Sequence, residues 1–304
     1  MGKNCIIVIN DMSGGYKSIR EEDLIKAFGE GYETTVFHMT QDRPFKYTEA
    51  DRIVVCGGDG TFSRMINRYK GKKTEIIYCP CGTLNETSKR DKDGTGDFLI
   101  SDCGEAANKI FSYVLATGTF TPLGYAVDNG TKQKMKAFAY IVNAFRQLKV
   151  WRINAEIDCD GEKREGQYSL LMALDSPQCF GLHFNRIFRP NDKKMHLLLV
   201  KAPRFNGFFG LAEMFFSFFR AFFIGFKKPY ASKKMLFREF SELKIKTDKE
   251  YDFCADGEKW TLPTAFSVRS YDLEPAIRVV TNKGVERLIK EKTENAEKVT
   301  IAEI

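Results

Sequence analysis

Arg52-Ile53-Val54-Val55-Cys56-Gly57-Gly58-Asp59-Gly60-Thr61 is a short apolar run that stops on three glycines and an aspartate. A run this short, closed by turn residues, reads as a buried strand, and Phe62 to Tyr69 behind it has helical periodicity. Strand, loop and helix together form the first half of a βαβ unit. Glycine lets backbone approach a ligand closely, and the N–H groups of such a loop, with a helix N-terminus behind them, suit phosphate oxygens. Asp59 beside a polyphosphate makes sense where magnesium, or water bound to it, must be held. The plainer alternative is a tight βα turn, which needs one or two glycines rather than three.

The same pattern continues on both sides. Cys5 to Ile9, Thr34 to His38 and Glu75 to Cys79 read as further strands, and Glu21 to Phe28 and Glu105 to Leu115 as helices. Asn10-Asp11-Met12-Ser13-Gly14-Gly15 follows the first strand, and Pro80-Cys81-Gly82-Thr83-Leu84-Asn85-Glu86 follows the fourth. Ligands of open α/β sheets gather at strand carboxyl ends, so three glycine-bearing loops in such positions point to a nucleotide-binding edge. Thr83 and Asn85 suit phosphate or ribose; taken alone, Asn85 is equally a cap for the following helix.

Beyond Pro122 the character changes. A helix is expected over Met135 to Leu148. Strands are expected at Ile153 to Cys159, Tyr168 to Ala173, Met195 to Val200, Leu243 to Thr247, Phe266 to Ser270 and Ile277 to Thr281, with a hairpin at Asp160-Gly161. The fold class is therefore α/β: a mostly parallel N-terminal nucleotide-binding domain (1–122) and a C-terminal antiparallel, β-rich, sandwich-like domain (123–281). Residues 282–304 are expected to form a charged terminal helix that packs back on one of them.

Composition is that of a globular chain, with 47 Lys and Arg against 40 Asp and Glu, an excess that suits an anionic surface or a polyphosphate. The eight cysteines lie mostly in apolar stretches and form no CxxC pair, and there are only three histidines, so reduced thiols are expected rather than a zinc site. Cys5 to Ile9 is too short for a signal-peptide core, and Gly2 lacks the residues of a myristoylation signal. A cytoplasmic address is expected.

Asn10 to Gly15, Gly57 to Thr61, Gly82 to Asn85 and Asp256-Gly257-Glu258, in this order and followed by Leu262-Pro263-Thr264, resemble the diacylglycerol kinase catalytic-domain family, which includes bacterial lipid kinases and the sphingosine and ceramide kinases. The resemblance implies two domains with the active site in the cleft between them, and ATP and magnesium (Mg2+) as cofactors. Carried over, it implies nucleotide contacts for Asn10, Ser13, Gly14, Gly57, Gly58, Gly60, Thr61, Thr83 and Asn85. It gives Asp256 the role of general base and Glu258 that of supporting the nucleotide or its metal; Asp59, read from its own loop, joins the catalytic and metal set. Asp160-Gly161-Glu162 repeats the three letters of the Asp256 motif between two strand-like runs and reads as a hairpin turn.

The sequence departs from the family pattern at three places. Asp11 stands where the family has proline. After Gly124 to Gly130 the expected strand and turn are missing, because Lys132 to Lys136 leads almost directly into a helix. Arg189 to Met195 replaces an acidic, glycine-containing turn and leaves Asp192 as the candidate ligand for a structural magnesium.

Phe205 to Phe226 holds ten of the 26 phenylalanines, with Glu213, Ser217 and Arg220 at helical spacing on one side. It is either a helix packed on the second domain or a face that meets a bilayer, with Arg220, Lys227 and Lys228 near headgroups. Glu213 and Arg220 argue against a transmembrane span. The expected function is ATP-dependent phosphorylation of a lipid hydroxyl by a cytoplasmic, peripherally membrane-associated enzyme. Its expected partners are a lipid acceptor and, transiently, an anionic membrane surface, with no nucleic acid and with a homodimer left open. The alternatives are a soluble kinase of the NAD kinase type and a nucleotide-binding relative without catalysis.

Overall fold

The computed structural model describes residues 2–119 and 150–302, so the helix expected over Met135 to Leu148 and the departure after Gly130 lie outside the described residues. The chain divides into two compact units, Met1–Ser101 with Leu273–Ile304, and Asp102–Asp272. The sequence-based boundaries, 122 and 281, differ from these. Residues 102–118 belong to the antiparallel second unit, and residues 273–304 to the first, where Arg278 and Val279 pair in parallel with Ile77 and Tyr78.

In the first unit β1 (Asn4–Asn10), β2 (Glu33–Met39), β3 (Arg52–Gly57) and β4 (Glu75–Pro80) are parallel, in the spatial order β2-β1-β3-β4. β1, β3 and β4 are buried along nearly their whole length, which explains their unbroken apolar runs: a parallel strand covered on both faces has no wet side to alternate with. Helix α1 (Glu21–Phe28) puts Leu24, Ala27 and Phe28 on this core, and its first turn is acidic, as its N-terminal dipole favours. Helix α2 (Asp59–Arg68) follows β3 directly.

The long strand Ala265–Val280 reaches β4 at its far end, where Arg278 pairs with Ile77. The tail forms a helix, Asn282–Ala302, whose Val285 is buried in the core shared with Cys5, Ile7, Leu24 and Phe28. Arg278 there donates two hydrogen bonds to Asp97, at 2.8 and 2.6 Å, and these hold the Asp97 carboxyl below its ordinary value. The stabilisation from a depressed carboxyl is present above its unfolded pKa of about 3.9 and is lost as pH falls through the folded value. Thermal melts of wild type should therefore drop on acidification below about pH 4, and Asp97→Asn should flatten that drop while lowering the plateau.

The second unit is antiparallel. The helix expected over Glu105 to Leu115 is instead β5 (Asp97–Ala106), β6 (Lys109–Phe111) and β7 (Val114–Gly118). Ala107 and Asn108 take φ of +48° and +66°, closing the β5–β6 turn, and Phe111 and Leu115 reach the core. Short apolar runs leave the choice between helix and strand open, and here cross-strand pairing won. β8 (Ile153–Cys159) and β9 (Glu162–Leu174) form the expected hairpin on Asp160-Gly161, both with positive φ, as a two-residue type I′ loop requires. β9 continues to a strand at Met195–Lys201, which pairs in turn with one at Met235–Phe240. Beneath the Met195–Lys201 side, Met214, Phe218, Ala221 and Phe226 of the phenylalanine-rich stretch are buried with Leu198 and Val200. That stretch is a helix over Gly207–Phe219 continued by a wider turn over Arg220–Ile224.

All eight cysteines are buried thiols. Burial pushes Cys5 up to about 11 and Cys81 up to about 12, which makes them packing groups rather than nucleophiles. No helix among the described residues is long and apolar enough to cross a membrane.

Candidate functional site

Because β1, β3 and β4 are neighbours in one parallel sheet, their carboxyl ends deliver the three glycine loops to the same edge. Backbone bonds tie the loops together: Cys81 N–H donates to the Gly57 carbonyl and Gly15 N–H to the Cys81 carbonyl, each at 2.8 Å. Asn10 donates from Nδ2 to Thr61 Oγ1 at 2.7 Å, inside the unit, while its Oδ1 accepts the Met12 N–H at 3.1 Å. Ser13 is buried and shares a side-chain hydrogen bond with Cys81.

Glycine is required where the loops touch. A Cβ on Gly82 would lie 2.6 Å from Gly58 Cα, and one on Gly14 would lie 2.8 Å from Thr83 Oγ1. Gly57 has the Thr61 side chain over it, at 2.6 Å from an added Cβ. Gly60 lies in the first turn of α2, whose leading amides have no intrahelical partner. The loops thus pack glycine against glycine and against the side chains of Thr61, Thr83 and Asn85.

Asp59 is buried, and its carboxylate reaches across to the third loop, where Oδ2 accepts the Glu86 N–H at 2.8 Å and Oδ1 the Thr87 N–H at 3.0 Å. Burial raises its pKa, opposed by those same amides. Asp59 therefore caps the 3-10 turn Thr87–Arg90, the task that the sequence left open for Asn85. Asn85 instead takes φ of +50°, donates from Nδ2 to the Gly82 carbonyl at 3.0 Å, and keeps its Oδ1 buried with no hydrogen-bond partner. An orphaned acceptor of this kind calls for an explanation, and a donor on a bound nucleotide would supply one.

Asp11, in place of the family's proline, bonds His38 Nδ1 at 2.9 Å and so ties the first loop to the end of β2; with Glu21 on the other ring nitrogen, these carboxylates raise the His38 pKa. Sequence reasoning missed Glu86, Thr87 and Arg90, which are fully buried. Charged residues at the end of a polar-looking loop read as solvated, and no local signal marks these as buried.

Asp256 and Glu258 belong to the second unit. Asp256-Gly257 is the two-residue turn between strands Tyr251–Ala255 and Glu258–Leu262, with φ of +51° and +87°, closely matching Asp160-Gly161 at +50° and +87°. The two aspartates differ in their surroundings. Asp160 is exposed and accepts the Ser241 and Glu242 amides. Asp256 is buried, and its carboxylate accepts the N–H groups of Ser112, Tyr113 and Val114 at 2.5, 3.0 and 3.2 Å. Three of its roughly four lone-pair sites are thereby used to clamp residues 112–114. Glu258 opens the following strand and is half-buried.

Asp192 turns its Oδ1 to the Lys194 N–H at 3.0 Å, closing its own turn. Beside it, Lys193 gives its N–H to Asp102 at 2.7 Å and its ammonium to Asp272 at 2.8 Å. Among the described residues no group of three or more His, Cys, Asp or Glu is arranged to hold a metal.

Residues 4–112 match the family model for the diacylglycerol kinase catalytic domain, a stretch that contains all three loops. This part of the chain is similar to the diacylglycerol kinase catalytic-domain family. A diacylglycerol kinase of Staphylococcus epidermidis is 26% identical over 195 residues, covering 57% of this chain and 62% of that protein. A putative lipid kinase of Streptococcus pneumoniae serotype 4 is 27% identical over 197 residues, covering 57% and 66%. The chain thus spans less than two thirds of the length of either relative. A diacylglycerol kinase of Bacillus subtilis is 24% identical over 241 residues, 70% of this chain and 78% of that one. Among solved structures, a diacylglycerol kinase from Bacillus anthracis superposes with a TM-score of 0.63 at 18% identity, over 92% of this chain and 97% of that one. At that identity the likeness is one of fold, and it agrees with a two-domain α/β architecture.

Proposed function

We propose that this protein is an ATP-dependent lipid kinase that transfers the γ-phosphoryl group to a lipid hydroxyl, that of diacylglycerol or a related lipid alcohol. The observation that carries the reading is the convergence of three glycine loops at one sheet edge, packed closely enough that added Cβ atoms would collide, and holding the orphaned Asn85 Oδ1. Phosphoryl transfer asks a protein for positioning and charge neutralisation more than for covalent chemistry. Backbone amides of Gly57, Gly58 and Gly60 and the N-terminus of α2 suit the phosphates, while Asn10, Ser13, Thr61, Thr83 and Asn85 supply neutral hydrogen-bonding groups. Magnesium would enter with ATP and neutralise its phosphates; Asp59, fixed by two amides, is the carboxylate we assign to the metal's water shell.

Asp256 is the carboxylate assigned to the acceptor's hydroxyl proton, with Glu258 in support. Because Asp256 also clamps residues 112–114, its two tasks are separable by experiment, as argued below. The test of the whole reading is transfer from γ-labelled ATP to diacylglycerol, sphingoid base, ceramide, undecaprenol and NAD in detergent micelles. A labelled lipid supports it and names the acceptor. Label on NAD alone moves the protein to the soluble kinases, and ATP binding without any product overturns the catalytic reading for these acceptors.

A further inference from the structure

The phenylalanine-rich helix presents two faces with different fates. Met214, Phe218 and Ala221, at helical spacing, are buried in the second unit. Phe209 and Phe216, seven residues apart, are 72% and 70% exposed; Phe205 before them is 62% exposed and Ile224 after them 53%. Phe215, Phe219 and Phe223 are also exposed, and their rings stack in sequence with centroids 6.0 and 5.3 Å apart. A continuous apolar ridge of this size on a protein surface marks an interaction site.

Charge identifies what it meets. Between residues 193 and 238 the chain carries ten Lys and Arg and one acidic residue, Glu213, whereas the whole chain has a net charge of +7. Glu213 is itself neutralised, accepting the Arg204 N–H at 3.0 Å and pairing with Lys234 at 3.1 Å. Arg204, Lys227, Lys228 and Lys233 flank the ridge and are exposed. Arg220 is turned inward, over the rings of Phe226 and Tyr230, so it is not among the cations near the ridge's outer side. An apolar ridge with a cationic border repels a second copy of itself and attracts an anionic bilayer. Phenylalanine carries no polar group that a protein partner would have to satisfy, and the helix is too short to span a membrane, so it fits the plane of the headgroup and acyl boundary.

We infer that this ridge inserts into anionic membranes and holds the protein at the surface from which its lipid acceptor is drawn, an inference that rests on the lipid-kinase reading for its purpose but not for its physics. Two variants test it: Phe209→Ser with Phe216→Ser, and Phe216→Trp alone. The paired serines, being at exposed positions, should leave the melting temperature unchanged and weaken sedimentation with phosphatidylglycerol vesicles by about 10-fold or more for the pair, with little binding of either protein to phosphatidylcholine. Phe216→Trp should be quenched by phosphatidylglycerol brominated on its acyl chains. Wild-type vesicle binding by the paired variant, or absence of quenching, overturns the inference, as does loss of a dimer in gel filtration with vesicle binding intact. Phosphorylation of a short-chain diacylglycerol dissolved as monomers reads the kinase activity separately. If wild type phosphorylates no lipid yet loses vesicle binding with the rings, the docking face stands and the kinase reading falls.

Discussion

Asp256→Asn is expected to lower turnover by roughly 10²-fold or more, the usual scale for losing a general base, and also to lower the melting temperature of the protein. The second effect follows from the three amides that converge on the carboxylate. Asparagine keeps one acceptor oxygen and places an NH2 group where the other stood, so at least one buried N–H faces a donor instead of an acceptor. Hydrogen bonds to a charged group contribute about 1.5–3 kcal/mol, and an unsatisfied buried donor costs about 1–3 kcal/mol, so a net loss of about 3 kcal/mol is expected. For a unit of this size that lowers the melting temperature by about 10 °C. ATP affinity, measured by calorimetry, should be nearly intact because the nucleotide loops belong to the other unit. A large loss of turnover well below the melting transition supports the base assignment. Normal turnover in a destabilised protein would make Asp256 a clamp for residues 112–114 and nothing more.

Much of the first unit was legible because its signals are local. The apolar runs that became β1, β3 and β4 end at their glycine loops, and the periodicity of Glu21 to Phe28 matches α1 residue for residue. The second unit was less legible. Its strands at Met235–Phe240 and Tyr251–Ala255 are short, mostly buried, and pair with strands distant in the chain, at Met195–Lys201 and Val114–Gly118. Phe266 to Ser270 and Ile277 to Thr281 read as two strands, yet one strand runs from Ala265 to Val280. In the candidate site the loops could be named, but the traffic between them could not. Nothing local shows that Asp59 caps the turn after the third loop, or that Glu86 and Arg90 are buried. Likewise, the closely matching φ values of Asp160-Gly161 and Asp256-Gly257 show that turn chemistry alone cannot separate a surface hairpin from a buried clamp; only the amides of residues 112–114 do so.

Gly82→Ala is the second substitution expected to have a large effect, and it tests whether the loops form one site. The added Cβ would lie 2.6 Å from Gly58 Cα and 2.8 Å from Asn85 Oδ1, and the first of these neighbours is backbone held between β3 and α2. Something must move, and forced overpacking of this kind costs about 1–3 kcal/mol. The melting temperature should fall by about 5 °C, and ATP affinity by about 10-fold or more, because the displaced atoms are the ones assigned to the phosphates. Gly58→Ala separates the two effects. Its Cβ would meet Gly82 Cα at 3.3 Å, a contact that a shift of a few tenths of an ångström relieves, so stability should change little while the methyl group still intrudes where the loops meet. Weaker ATP binding in both variants, with destabilisation mainly in Gly82→Ala, places the phosphates against these glycines. Unchanged ATP affinity in Gly58→Ala would mean that the glycines serve only to let the loops pack, and the polyphosphate would have to be sought elsewhere.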